Sequence, residues 1–90
     1  MCRNITILRG LEPPATAEEI EAASRQFVRK VSGVQKPSAA VVDRFEEAVA
    51  EITAITTALL QDLPPRKQPP TSEPPLRRIA RQKAEAAAAG

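Results

Sequence analysis

Residues 16–33 read TAEEIEAASRQFVRKVSG, and this stretch decides the fold. Thr16 followed three positions later by Glu19 is a reciprocal helix cap. The Thr16 hydroxyl accepts from the Glu19 N–H, and the Glu19 carboxylate reaches back to the Thr16 N–H. Glu18, Glu19 and Glu21 suit the positive end of a helix dipole. Ile20, Ala23, Ser24, Phe27, Val28 and Val31 then recur on one face at helical spacing. Gly33 supplies the left-handed residue that stops a helix. The spacing predicts a helix over 17–32. Glu12-Pro13-Pro14 excludes helix just before it, because proline has no N–H and restricts its predecessor.

Reading onward, Val34-Gln35-Lys36-Pro37 forms a loop and Ser38 is a good N-cap for a second helix over 39–63. Its seam is Val42, Phe45, Val49, Ile52, Thr56, Leu59 and Leu63, alternating three and four as in a heptad. Val41, Ala48, Ile55 and Leu60 widen that seam, which implies contact with more than one neighbour. Pro64-Pro65 ends the helix. So short a loop predicts antiparallel packing. At ~1.5 Å per residue the second helix is roughly 12 Å longer than the first. Ile55, Leu59, Leu60 and Leu63 therefore project past the partner helix and need a cover. Ile5, Ile7, Leu8 and Leu11 reach that end, and a second copy of the chain is the alternative cover.

Composition bounds the rest. Ninety residues make one domain at most, and 42% are apolar, yet Phe27 and Phe45 are the only aromatics. Such a core is thin, and domains of this size are marginal unless stapled or associated. One cysteine and no histidine rule out a structural zinc site of four Cys or His ligands within one chain. The run from Ile5 to Leu8 is too short for a signal-peptide core, and no segment approaches the ~20 apolar residues of a membrane helix. The lone thiol favours a reducing compartment, so a cytoplasmic location is expected. The Ala, Arg and Pro bias has a high-GC bacterial look.

The net charge of +2 hides an asymmetry. Residues 1–63 carry seven Lys/Arg against nine Asp/Glu, and residues 64–90 carry six against two. The stretch PPRKQPPTSEPP (64–75) is half proline and reads as a polyproline-type linker. LRRIARQKAEAAAA (76–89) is made of strong helix formers with Leu76 and Ile79 as its only apolar anchors, so only partial helix is expected of it alone in water.

The segments MCRNI, EPPAT, EIEAASRQFVRKVSG and KPS resemble a family of small bacterial proteins of unknown function. Its members open MCRNI and carry a VRKxSGxxKPS-like segment. The resemblance covers about residues 1–60 and leaves the tail outside. It implies that Cys2, Arg3, Asn4, Arg29, Lys30, Ser32, Gly33, Lys36, Pro37 and Ser38 belong to the family pattern. It implies no activity.

Chemistry is concentrated in few places. Cys2 follows Met1, whose removal is expected before a small residue. The exposed α-amine and thiol would form a 1,2-aminothiol, titrating close together and able to chelate a borderline metal or act as a redox handle beside Arg3 and Asn4. The plainer reading is a small buried hydrophobe. Arg25, Arg29, Lys30 and Lys36 are candidate phosphate contacts, although a solvated helix face with a Glu21–Arg25 pair explains them too. The tail cations Arg66, Lys67, Arg77, Arg78, Arg81 and Lys83 are the better nucleic-acid candidates, with no aromatic to stack bases. A solubilising extension is the plainer reading. SGVQKPS leads into AAVVDRFEE, apolar and acidic, which argues against DNA readout by the second helix. Glu47 and Glu51 lie one turn apart and could contribute to a shared metal site in a dimer. Nothing resembles a catalytic triad, so a non-enzyme is favoured and no cofactor is implied.

The expected fold is all-α: a long antiparallel two-helix hairpin over 1–63, closed by the N-terminal segment, with a mostly disordered Pro-rich basic tail over 64–90. The expected function is a small helical interaction module that self-associates or binds a protein partner, with no membrane role. Nucleic-acid association through the tail and metal or redox chemistry at Cys2 are the alternatives.

Overall fold

In a computed structural model that describes residues 5–66, 70 and 72–89, the chain forms three α-helices and, among those residues, no strand. The first, α1, is Ala17–Ser32, with the predicted bounds. Both halves of its cap are present. The Thr16 N–H donates to Glu19 Oε1 at 2.8 Å, and Thr16 Oγ1 accepts from the Glu19 N–H at 3.2 Å. At the other end Gly33 adopts φ 72° and its N–H donates to the Arg29 carbonyl at 2.9 Å. Open space surrounds the point where a Gly33 side chain would begin. Gly33→Ala therefore isolates the backbone effect. A denaturant melt should show a loss of about 1 kcal/mol, with Gly33→Asn losing less.

The second helix, α2, is Val42–Asp62 and starts three residues later than predicted. The expected Ser38 hydroxyl cap is not used. The Ser38 carbonyl instead accepts from the N–H groups of Val41 and Val42 at 3.0 and 2.9 Å, making a tight turn over 39–41. Val41 then stands at the cap with no side-chain bond. At the far end the Leu63 N–H closes on the Leu59 carbonyl at 3.1 Å, and Pro64 has no N–H to continue the ladder.

α1 and α2 pack on each other through Val28, Phe45 and Val49, with Val34, Ala48 and Ile52 against them. Ile20 and Leu11 are also buried. Ser24 sits in this interface with its hydroxyl satisfied by the Ile20 carbonyl at 3.0 Å. On one edge of the seam Arg25 grips Glu46 through two bonds of 2.6 and 2.8 Å. The other edge is bare: Phe27, Val31, Val41, Ile55 and Leu59 are all exposed.

The N-terminal segment only partly takes the place expected of it. Leu8 and Leu11 do share a cleft with Ile20, Leu60 and Leu63 at the end of α2, and Arg9 Nε donates to the Pro64 carbonyl at 2.8 Å. Gly10, at φ 86°, brings the chain against the Arg66 side chain. But Thr6 and Leu8 also border the face of α1 that carries Ala22, Gln26 and Arg29, turned away from α2. Ile55 and Leu59 stay uncovered.

The third helix, α3, is Pro75–Ala89, in the tail where the composition suggested only partial helix. The proline that closes the linker opens the helix, since a first-turn residue needs no N–H. The Pro74 carbonyl accepts from the N–H groups of Arg77 and Arg78 at 3.0 and 3.3 Å. Arg81 bridges Glu73 at 2.6 Å and Glu85 at 3.8 Å along the helix surface. Only the first turn docks: every residue from Arg78 to Ala88 is exposed. The contact that fixes it is long-range. Arg77 reaches back to Glu19 in α1 and to the carbonyls of Pro13 and Pro14.

Candidate functional site

The sequence placed its candidate chemistry at both ends of the chain and on α1. Cys2, Arg3 and Asn4 lie outside the described residues, as does Lys67. Among the described residues no group of three or more His, Cys, Asp or Glu is placed to hold a metal ion. Glu47, one of the speculative metal carboxylates, bonds Arg44 at 3.0 Å.

The phosphate candidates divide into committed and uncommitted groups. Arg25 is held by Glu46 and, at 3.3 Å, by Glu21. The Glu46 hydrogen bonds, against the opposing pull of burial, raise its affinity for its proton, and Glu46 in turn is held below the usual carboxylate range, chiefly by Arg25. The Glu21 partner is legible from its spacing of four, whereas the stronger Glu46 partner is created only by the packing of α1 on α2. Arg77 and Arg81 are likewise engaged with carboxylates. Arg25 and Arg77 thus tie separate elements together, whereas the Arg81 pairs are local to α3 and the residues just before it. Arg29, Lys30, Lys36, Arg66, Arg78 and Lys83 form no ion pair with the described residues.

The Glu19–Arg77 pair is the feature the sequence hid. Glu19 is read locally as a capping residue, and it is one, but its side chain is only 4% exposed. Burial pushes its carboxyl up. The Arg77 hydrogen bonds, the Thr16 N–H and the Arg77 charge outweigh that and hold it below its ordinary value. Arg77 Nε lies 2.6 Å from Oε2, and Nη2 lies 3.1 Å from Oε1, so the contact is a two-point fork. Fifty-eight positions separate the partners, and no local pattern announces them.

Two concavities border the N-terminal segment. One, of about 530 Å³, is the apolar cleft between residues 8–11 and the end of α2. The other, of about 190 Å³, lies on the face of α1 turned away from α2. Thr6, Gln26, Arg25, Arg29 and Glu19 give it polar walls, and Leu8, Ala22, Ala23, Pro75 and Leu76 give it apolar ones. Arg29 was expected to sit on a solvated face. The N-terminal segment and the first turn of α3 instead half-bury it.

Among the described residues no helix is long and apolar enough to cross a membrane. Compared with curated proteins and with solved structures, the chain finds no match. Compared with family models it finds one, over residues 1–86. That span takes in the tail, which the resemblance drawn from MCRNI and KPS left outside. It agrees with α3 being tied to α1 through Arg77. The chain belongs to the uncharacterised conserved protein family DUF2277.

Proposed function

We propose that this protein is a helical interaction module whose α1 and α2 act as an antiparallel hairpin and pair with a second copy of the chain through their bare edge. The observation that carries this reading is the exposed apolar row. Ile55 is 75% exposed, Val31 68% and Leu59 56%, with Phe27 and Val41 close behind. Five hydrophobic residues are buried among the described ones, and nine large ones are exposed. Large apolar side chains left exposed on one side of a helix pair suit contact with another surface.

A second copy fits the pattern better than an unrelated partner. Val41, Ala48 and Ile55 repeat every seven residues, as do Ile52 and Leu59, giving a straight edge along α2. A two-fold axis between Ile52 and Ile55 sets Leu59 over the partner's Ala48. It also brings Arg44, which is 84% exposed, toward the partner's Asp62. The edge then sets opposite charges against each other across the axis.

Ile55→Glu should convert a dimer to a monomer in analytical ultracentrifugation while leaving the helical circular dichroism unchanged. Arg44→Glu should weaken the dimer, and adding Asp62→Arg should restore it. An unmodified protein that stays monomeric at all concentrations, or an Ile55→Glu variant that still dimerises, overturns the reading.

A further inference from the structure

We infer that the 190 Å³ cavity on the far face of α1 is a binding site for a small organic oxyanion, seated on Arg29, Gln26 and Thr6. Among the described residues two side-chain polar atoms are fully enclosed without a hydrogen-bond partner: Thr6 Oγ1 and Arg29 Nε. Both belong to side chains that wall this one cavity. They come from separate parts of the chain, yet they converge. A buried donor left without a partner is costly, and more so on a charged group, so both side chains gain by turning these atoms toward an acceptor held in the cavity they line.

The charges around the cavity specify the sign of that acceptor. Glu19 is the only carboxylate in the wall, and the Arg77 fork already neutralises it. Arg25 is neutralised by Glu46 and Glu21. Arg29 forms no ion pair with the described residues, and within the wall itself two cations, Arg25 and Arg29, stand against one carboxylate. A guanidinium, a carboxamide and a hydroxyl together offer several donors, which suits an acceptor-only group such as a phosphate or carboxylate. Leu8, Ala23 and Leu76 line the rest of the cavity and suit a short apolar body attached to that headgroup. Binding turns the Arg29 guanidinium toward the cavity and rotates the Thr6 hydroxyl onto the ligand. The site lies on the opposite side of α1 from α2 and does not depend on self-association.

The test uses the full chain in a phosphate-free buffer at constant ionic strength. Inorganic phosphate and propionate are titrated separately while the Arg29 Nε–H signal is followed by NMR. The expected result is saturable movement of that signal with at least one of the two, and the tighter binder identifies the headgroup. Arg29→Lys keeps the charge but loses the Nε donor and should bind about tenfold more weakly. Thr6→Val keeps the shape and should weaken binding a few-fold, which protects the test if the arginine variant folds poorly. Saturation by neither anion overturns the proposal. So does an equal loss on Arg78→Gln, since Arg78 is exposed on α3 and removing its charge would act only through the general field.

Discussion

Phe45→Ala should cost about 3–5 kcal/mol and leave much of the chain unfolded. Phe45 is 7% exposed and sits between Val28 and Val49, the only other members of the buried cluster. Small domains have total stabilities of roughly 5–15 kcal/mol, and one with so few buried side chains belongs near the bottom of that range. No second aromatic is available to close over the cavity. Phe27 is the other phenylalanine, and it is 46% exposed. Phe27→Ala should therefore shift the urea midpoint of the monomer very little and act on association instead. The pair makes a sharp comparison, because the chemical change is the same and only the burial differs. Equal losses in a urea melt at low protein concentration would mean that Phe27 is as much a part of the monomer core as Phe45.

The same two residues show what could be read in the sequence. Both fall on apolar helical stripes, and periodicity assigns both to a core. It cannot say which members of each stripe the packing of the two helices encloses. The bounds of α1 were legible because Thr16, Glu19 and Gly33 act locally, within a few bonds of the backbone they terminate. The start of α2 was less so. Ser38 is a good capping residue by type, but its carbonyl rather than its hydroxyl organises the turn. Basic residues were legible as charges and not as partners. Arg29 looks like a surface cation from its helical phase, and becomes half-buried because residues 5–8 and the first turn of α3 cross the same face. Sequence spacing carries no information about that crossing. For the same reason α3 looked like an appendage: its own composition offers Leu76 and Ile79 as anchors, whereas the residue that fixes it is Arg77.

Arg77→Leu should detach α3 and cost about 3 kcal/mol near neutral pH, the low end for breaking a buried ion pair because Arg77 itself is 20% exposed. The loss arises mainly from what remains. Glu19 would stay enclosed with the Thr16 N–H and no cation, and burial would then push its carboxyl above its ordinary value. The pH dependence follows with a definite sign. In the unmodified protein the Glu19 carboxyl is held below its ordinary value, so its contribution is complete above the unfolded pKa of about 4.3 and disappears as pH falls through the lower, folded value. In the variant the order of folded and unfolded values is reversed, and the folded chain takes up a proton more readily than the unfolded one. Acidification should therefore narrow the stability gap between the two proteins. Glu19→Gln removes the buried charge while its amide oxygen still accepts from Thr16, so adding it to Arg77→Leu should recover stability. Circular dichroism should show the matching loss of helix, up to the fifteen residues of α3, in Arg77→Leu. If the double variant is instead less stable than Arg77→Leu, the buried charge is not what Arg77 is there to balance, and the fork to the Pro13 and Pro14 carbonyls becomes the contact that holds α3.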